Sequence, residues 1–429
     1  MSALKILHIC TSPNGGAGRA AFRLHESLLK NGVESYFMSL YDESSLTKNE
    51  KLNFIALNNG PSNILFRIVN KIQRIFRVSS AKRHIKLVSE YNGLHSKINA
   101  EITSLPFSNF RIDEYPIVKK VDIVNLHWVS KVLDYPTFFK NINKPVVWTL
   151  HDLNPVKGIF HYEDDEKINE TLTGDLNKQF VKIKIDSLKS FRNTLQIVTP
   201  SHWLQDKASK SPILGKFQSE VIPYCIDFNH FPVHPKMEYR KELNIPDDGK
   251  ILLLFVSQMK ISNRKGLDLV LEAAKFLPEH TISIVLVGTS AQFSIPGVTV
   301  TSTGLITNDA ILAKYYSSAD AVILPSREDN LPNVILESFS CGTPIIGFPI
   351  GGIKEHVLNK HTGILAENIS SLSLANAIKE FIETKNSYES SKIREYAEIH
   401  FSERIQVEAY MKLYNRLKSS RNLQVTDKT

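Results

Sequence analysis

Cysteine is scarce in this chain, and the three present, Cys10, Cys225 and Cys341, stand far apart. Such spacing offers neither a disulfide framework nor a Cys-x-x-Cys metal site, so a reducing compartment is expected and each thiol reads as a small buried hydrophobe. Long apolar runs are also missing. None reaches the roughly 18 residues of a membrane-spanning helix. The opening, MSALKILHIC, has one lysine and a short apolar run, and reads as a first strand rather than a signal peptide. Zinc-finger, RNP and helix-turn-helix signals are absent, which sets nucleic acid aside as a partner despite the basic balance. No solenoid repeat is visible, and no Asp-x-Asp pair marks a metal site at a strand end.

What is present is globular. The chain has 429 residues, 42% apolar and 22% charged, too long for one ordinary core, so two domains are expected. Net charge is +8, which suits phosphorylated substrates or an anionic lipid surface. Most of that excess sits in Pro61–Glu90, where seven basic residues (Arg67, Lys71, Arg74, Arg77, Lys82, Arg83, Lys86) face one acid, Glu90, for a balance of +6. Ile64, Leu65, Ile68, Val69, Ile72, Ile75 and Phe76 recur there at helical spacing. Two readings stay open: a basic amphipathic helix on a membrane surface, or a helix packed on its own domain with a solvated face.

The most informative stretch is Ala321–Val357. Ala321–Leu324 reads as a buried parallel strand ending at Pro325-Ser326. An acidic turn, Arg327-Glu328-Asp329-Asn330, precedes a helix opened by Pro332 and Asn333 and stopped by Gly342-Thr343-Pro344. Ile345–Phe348 is a second strand, leading into Gly351-Gly352. In open α/β sheets ligands bind beyond the carboxyl ends of strands, and a helix start there favours an anion. Asp329 and Glu337, with seven residues between them, add carboxylates that suit sugar or ribose hydroxyls. The alternative is a solvated turn with a surface Glu, but Glu337 lies among Val334, Ile335, Leu336 and Phe339.

Strand ends elsewhere repeat the theme. Leu4–Cys10 leads through a Gly-rich loop, Thr11–Arg19, to a helix carrying Ala20, Ala21, Leu24, Leu28 and Leu29, and then to the strand Glu34–Leu40. Gly16-x-Gly18-x-x-Ala21, with Asp42 beyond, matches a dinucleotide fingerprint, but about five residues separate strand from glycine where the fingerprint has almost none. His127 ends the strand Val121–Val129, and His151 ends Pro145–Leu150, so both imidazoles are expected in one crevice. Phe231–Gly249 reads as an interdomain linker. Ile251–Ser257 then opens a second domain, followed by Lys260, Arg264, Lys265 and Gly266 before a helix.

Asp329-x7-Glu337, with Pro325-Ser326 before it and Ser338-x-x-Cys341-Gly342-Thr343-Pro344 after it, resembles the E-x7-E region of retaining GT-B glycosyltransferases of family 4. That region usually begins with Glu; here Asp329 holds the aligned place. GGAGRAAFRLHESL and WTLHDLNPVKGIFHY are similar to segments of a bacterial polysaccharide, O-antigen or colanic-acid subgroup. Relatives there often carry clustered cysteines next, and this chain has none, so no metal role is implied. The resemblance implies an α/β GT-B fold, two Rossmann-like domains flanking a deep cleft: an acceptor domain at 1–225, a donor domain at 226–400, and a helix at 401–429 crossing back. It implies metal-independent, cofactor-free transfer of a sugar from a UDP- or GDP-type donor to a surface-polysaccharide glycan, expected to be lipid-linked, at the cytoplasmic membrane face. His151, His127, Lys265 and Asp329 would serve catalysis. Gly16, Gly18, Lys260, Arg264, Lys265, Ile306, Asp329, Asn330, Leu331, Asn333 and Glu337 would bind the donor. A silent transferase-like scaffold and an NAD-dependent oxidoreductase remain the other classes.

Overall fold

The computed structural model describes residues 4–40, 53–57, 80–257 and 263–426. Lys260, Asp42 and the 61–79 part of the basic stretch, including Arg67, Lys71, Arg74 and Arg77, lie outside the described residues. The chain forms two compact units: one from residues up to Pro200, Leu204–Ile222 and Val407 onward, the other from Ser201–Trp203 and Pro223–Gln406.

The first unit is built on a parallel sheet of seven described strands in the order β3-β2-β1-β4-β5-β6-β7. They are β1 Lys5–Cys10, β2 Glu34–Ser39, β3 Phe54–Ala56, β4 Ile123–Leu126, β5 Val146–Thr149, β6 Leu195–Thr199 and β7 Ser219–Val221. The central strands β4, β5 and β6 are buried along their whole length, as expected for a parallel sheet covered on both faces. Strand order reverses between β1 and β4, the kind of switch point where a crevice opens. The last helix, Glu403–Thr426, belongs to this unit through Val407, Tyr410, Leu413, Tyr414 and Leu417, which share one core with Leu4, Ile6, Leu24 and Leu28. Its Tyr414 hydroxyl accepts from Asn125 at 2.8 Å, and Tyr410 and Thr149 hydroxyls meet at 2.9 Å, so polar groups of β4 and β5 find partners under it.

The second unit holds a parallel sheet of six described strands, β10-β9-β8-β11-β12-β13. These are β8 Ile251–Val256, β9 Ile282–Val287, β10 Thr299–Ser302, β11 Ala321–Leu324, β12 Ile345–Gly347 and β13 Gly363–Leu365. Here the order reverses between β8 and β11. The stretch read as a linker instead carries the helix Lys236–Glu242. Two of its charges are anchored: Lys236 and Arg240 reach Asp320 at 2.9 and 2.7 Å, and Arg240 is buried.

Candidate functional site

In the first unit, the glycine-rich segment is a helix start, not a loop. The helix runs Gly15–Lys30, so Gly16 and Gly18 lie in its first turn and the open segment is only 11–14. A Cβ on Gly18 would stand 2.3 Å from the Ser12 carbonyl oxygen, so glycine lets the helix settle on that segment.

Beyond the strand ends the predicted histidines do meet. His127 Nδ1 lies 3.1 Å from His151 Nε2. Behind them stands a group that sequence reasoning passed over: His8, in the middle of β1, whose Nδ1 is 2.9 Å from His127 Nε2. Burial pushes His127 well below the usual imidazole range, with neighbouring imidazoles adding to it, and pushes His151 down to about 4. The three are neutral at pH 7. They present dipoles and single protons, not charge.

The loop after β5 is pinned from several sides. Asp152 Oδ2 accepts from Trp128 Nε1 at 2.7 Å and pairs with His161 Nδ1 at 2.6 Å, while His161 Nε2 meets the Ser104 hydroxyl at 2.7 Å. That atom order matches a hydrolytic triad, yet the site cannot attack an acyl group. Ser104 is buried, its hydroxyl also holds Ser130, and its amide is spent on the Ile159 carbonyl. The ensemble is a brace. Lys184 completes it: fully buried, it donates to the carbonyls of Asn154 and Lys157 at 2.6 and 2.8 Å, and burial pushes it down to about 7. Its place between Phe180 and Leu188 at helical spacing, on an otherwise buried stripe, was the signal that could have revealed it.

In the second unit, the loops after β8 and β11 lean on each other. Gly266 has φ +71, and a Cβ there would fall 2.0 Å from the Pro325 carbonyl oxygen, so only glycine allows this crossing. Lys265 Nζ donates to Asp329 Oδ2 at 2.6 Å, Ser326 Oγ at 3.3 Å, and Arg264 Nη1 stands 3.5 Å from the same oxygen. Arg264 also donates to the Glu328 carbonyl at 2.9 Å. Burial alone would raise the Asp329 carboxyl, but Lys265 and Arg264 outweigh it and hold it below the usual range, so it stays ionised. Asn330 anchors the turn: its side-chain oxygen accepts from Ser201 at 2.6 Å and its carbonyl from Gly352 at 2.5 Å.

Asn333 opens the helix Asn333–Ser340, and Leu331 just before it is buried. Glu337 lies within that helix. It is buried, and its Oε2 accepts the hydroxyl of Tyr316, another residue that no sequence spacing pointed to, at 2.8 Å. Ile306, half-buried, follows a turn fixed where Gly288 donates to the Gly304 carbonyl and Gly304 to that of Thr289, both at 2.8 Å. Lys265, Arg264 and Asp329 thus come together; Glu337 and Ile306 stand on neighbouring elements of the same unit. Among the described residues no group of three or more His, Cys, Asp or Glu side chains is placed to hold a metal ion.

A cation pair at the β8/β11 switch point, a helix start beside it and a buried Glu one turn into that helix suit a diphosphate carrying a polyol. Residues 250–384 match the family model for glycosyl transferases group 1. TuaC of Bacillus subtilis, provisionally named a teichuronic acid biosynthesis glycosyltransferase, is 28% identical over 187 residues, taking in 43% of this chain and 46% of that protein. The chain spans about half the length of the curated relatives it matches. Among solved structures, sucrose-phosphate synthase from Thermosynechococcus elongatus superimposes with a TM-score of 0.68 at 18% identity, covering 97% of this chain and 100% of that one. HepE of Anabaena, in complex with UDP-glucose, gives 0.63 at 15%, covering 96% and 100%. These likenesses establish the fold, two Rossmann-like units of the GT-B kind.

Proposed function

We propose that the protein transfers a sugar, with retention at the anomeric carbon, from a UDP- or GDP-type donor to a hydroxyl of a surface-polysaccharide glycan. The observation that carries this reading is the convergence of Lys265 and Arg264 on Asp329 within the segment that matches glycosyl transferases group 1. A donor diphosphate would draw Lys265 from Asp329 onto its own oxygens. The ammonium then neutralises charge that grows on the leaving phosphate, which serves without a metal ion. Amides at the start of the Asn333–Ser340 helix, with Asn330 and Leu331 before it, face the phosphates. Glu337, steadied by Tyr316, accepts the ribose hydroxyls, and Ile306 lies against the base. Gly16 and Gly18 open a second helix start for the donor or the acceptor. His127 and His151 hold the transferring sugar and the incoming hydroxyl by neutral hydrogen bonds; the departing phosphate takes the acceptor's proton, so no strong protein base is required.

The teichuronic acid relative supports a polymer acceptor, and the UDP-glucose complex of HepE supports a uridine donor. The basic stretch Pro61–Glu90 supports a lipid-linked acceptor at the cytoplasmic membrane face, each cation contributing roughly 1 kcal/mol against an anionic leaflet. No helix among the described residues is long and apolar enough to cross a membrane. A thermal-shift screen with UDP, GDP and their sugars tests the donor reading. Saturating donor should raise the melting temperature, by mass action on the folded state, and release nucleotide once acceptor is added. No shift with any nucleotide-sugar would sink it, and a shift without turnover would favour a silent binding subunit.

A further inference from the structure

We propose that Arg327 is a positioning residue: its ion pair with Asp268 clasps the loops after β8 and β11, and so keeps Lys265 and Arg264 in place when a donor diphosphate draws Lys265 off Asp329. The clasp itself stands on geometry alone. Its part in turnover rests on the reading of Lys265 as the cation that serves the leaving phosphate.

Lys265 and Arg264 are consecutive residues of one tight turn, Asn263–Lys265, yet their side chains reach the same oxygen, Asp329 Oδ2, at 2.6 and 3.5 Å. Neighbours in a chain converge in this way only if the backbone that carries them is held. Arg327, on the opposite loop and two residues before Asp329, grips that backbone along its length. Its N–H donates to the Arg264 carbonyl at 2.8 Å. Its Nη1 donates to the Asn263 carbonyl at 2.5 Å and to Asp268 Oδ1 at 2.8 Å, and its Nη2 to Asp268 Oδ2 at 2.5 Å. Asp268 is the second residue of the helix Leu267–Ala274. One guanidinium therefore spans from the first residue of the turn to the helix that follows it, with both cations in between. A planar fork can make that span, and a single ammonium cannot. The same contact is the main cause that holds the Asp268 carboxyl below its usual range.

Two ion pairs thus tie the same two loops, and a bound diphosphate treats them differently. Lys265–Asp329 is exchanged for contacts with phosphate oxygens. Arg327–Asp268 includes neither of those residues and outlasts the exchange. Without it, the turn would lose both ties at the moment the ammonium must stand against the leaving phosphate. The Asp268 side chain is 54% exposed, and an ion pair open to water contributes little to folding. The value of the clasp lies in placement, not in stability.

The test uses the full chain with Arg327→Ala, Arg327→Lys and Asp268→Ala. Hydrogen exchange without ligand, followed by mass spectrometry, should be faster at 263–270 and 327–330 in both alanine variants, with melting temperatures close to wild type. Unchanged exchange there would overturn the clasp. In steady-state assays of transfer, either alanine variant should lower kcat about tenfold or more with a smaller change in donor KM, as expected when a reacting group is misplaced. Arg327→Lys should fall between these and wild type. In a Lys265→Ala background, Arg327→Ala should cost much less than it does alone. A loss of the same size in both backgrounds would mean that Arg327 acts on the donor directly or on the fold, and would sink the positioning role. Should Arg327→Ala fail to fold, Asp268→Ala still decides, alone and with Lys265→Ala. Absence of any sugar transfer by the wild-type protein would defeat the transferase reading, while hydrogen exchange judges the clasp independently.

Discussion

From the middle of β1 to the ends of β4 and β5, imidazoles lie within hydrogen-bond distance of one another, whereas at the ends of β8 and β11 two cations meet one carboxylate. Both places are switch points of parallel sheets, so topology alone gives each a crevice. The difference lies in what surrounds the titratable groups. His8 and His127 are sealed in the first sheet, where burial and neighbouring imidazoles, with no carboxylate of the described residues acting against them, disfavour their charge. Asp329 is also sheltered, but Lys265 and Arg264 stand close enough to keep it ionised. On the proposed reading, one crevice orients hydroxyls and the other holds an anion.

The sharpest way to break this comparison is to remove charge from the second crevice. Lys265→Ala should lower kcat by roughly 100- to 1,000-fold, and raise donor KM far less, because the ammonium acts on charge that appears only as the bond breaks. Steady-state assays with near wild-type turnover would remove Lys265 from the chemistry.

Acid tests the first crevice. His151 protonates near pH 4 in the folded chain and near 6.5 when unfolded. The unfolded state therefore binds more protons between those values. Stability is full above about 6.5 and falls as pH drops toward 4, by roughly 3 kcal/mol for this one group. His356 in the second unit, also pushed to about 4 by burial, slopes the same way, so the difference between proteins is the measure. Urea unfolding should show a flatter decline between pH 7 and 4.5 for His151→Gln than for wild type. Parallel curves would mean that His151 is not held neutral.

The two sites should also separate in binding. Glu337→Ala should weaken UDP by about 1–3 kcal/mol in calorimetry, since the ribose would lose its acceptor. His151→Ala should leave UDP affinity unchanged while impairing transfer. If His151→Ala abolished UDP binding, that imidazole would belong with the phosphate or the fold.

The buried runs ILLLFV and AVIL announced β8 and β11, and the placement of His127, His151, Lys265 and Asp329 just beyond parallel strands was legible because such runs mark where each strand stops. What escaped has a common cause: the deciding partner lies far along the chain. Tyr316 is 21 positions from Glu337, and His8 is 119 from His127. In a buried strand His8 looks like one polar lapse. Lys236 and Arg240 fall in the stretch read as an interdomain linker, and their counter-charge, Asp320, lies far along the chain. The glycines at 15–18, poor helix formers, hid a helix start whose reason is close approach to Ser12 and Pro13.

The helix Glu403–Thr426 has a consequence for how the protein is made. Asn125 and Tyr414, hydrogen-bonded in the first unit, are 289 residues apart. At about 5–20 residues per second, a ribosome needs on the order of tens of seconds to travel between them. Over that interval the apolar surface formed by Leu4, Ile6, Leu24 and Leu28 has been synthesised but lacks Val407, Tyr410 and Leu413. The second unit, whose residues are almost continuous in sequence, can close first. The nascent first unit thus carries this uncovered apolar surface through most of translation, and its completion is timed by the arrival of the last helix.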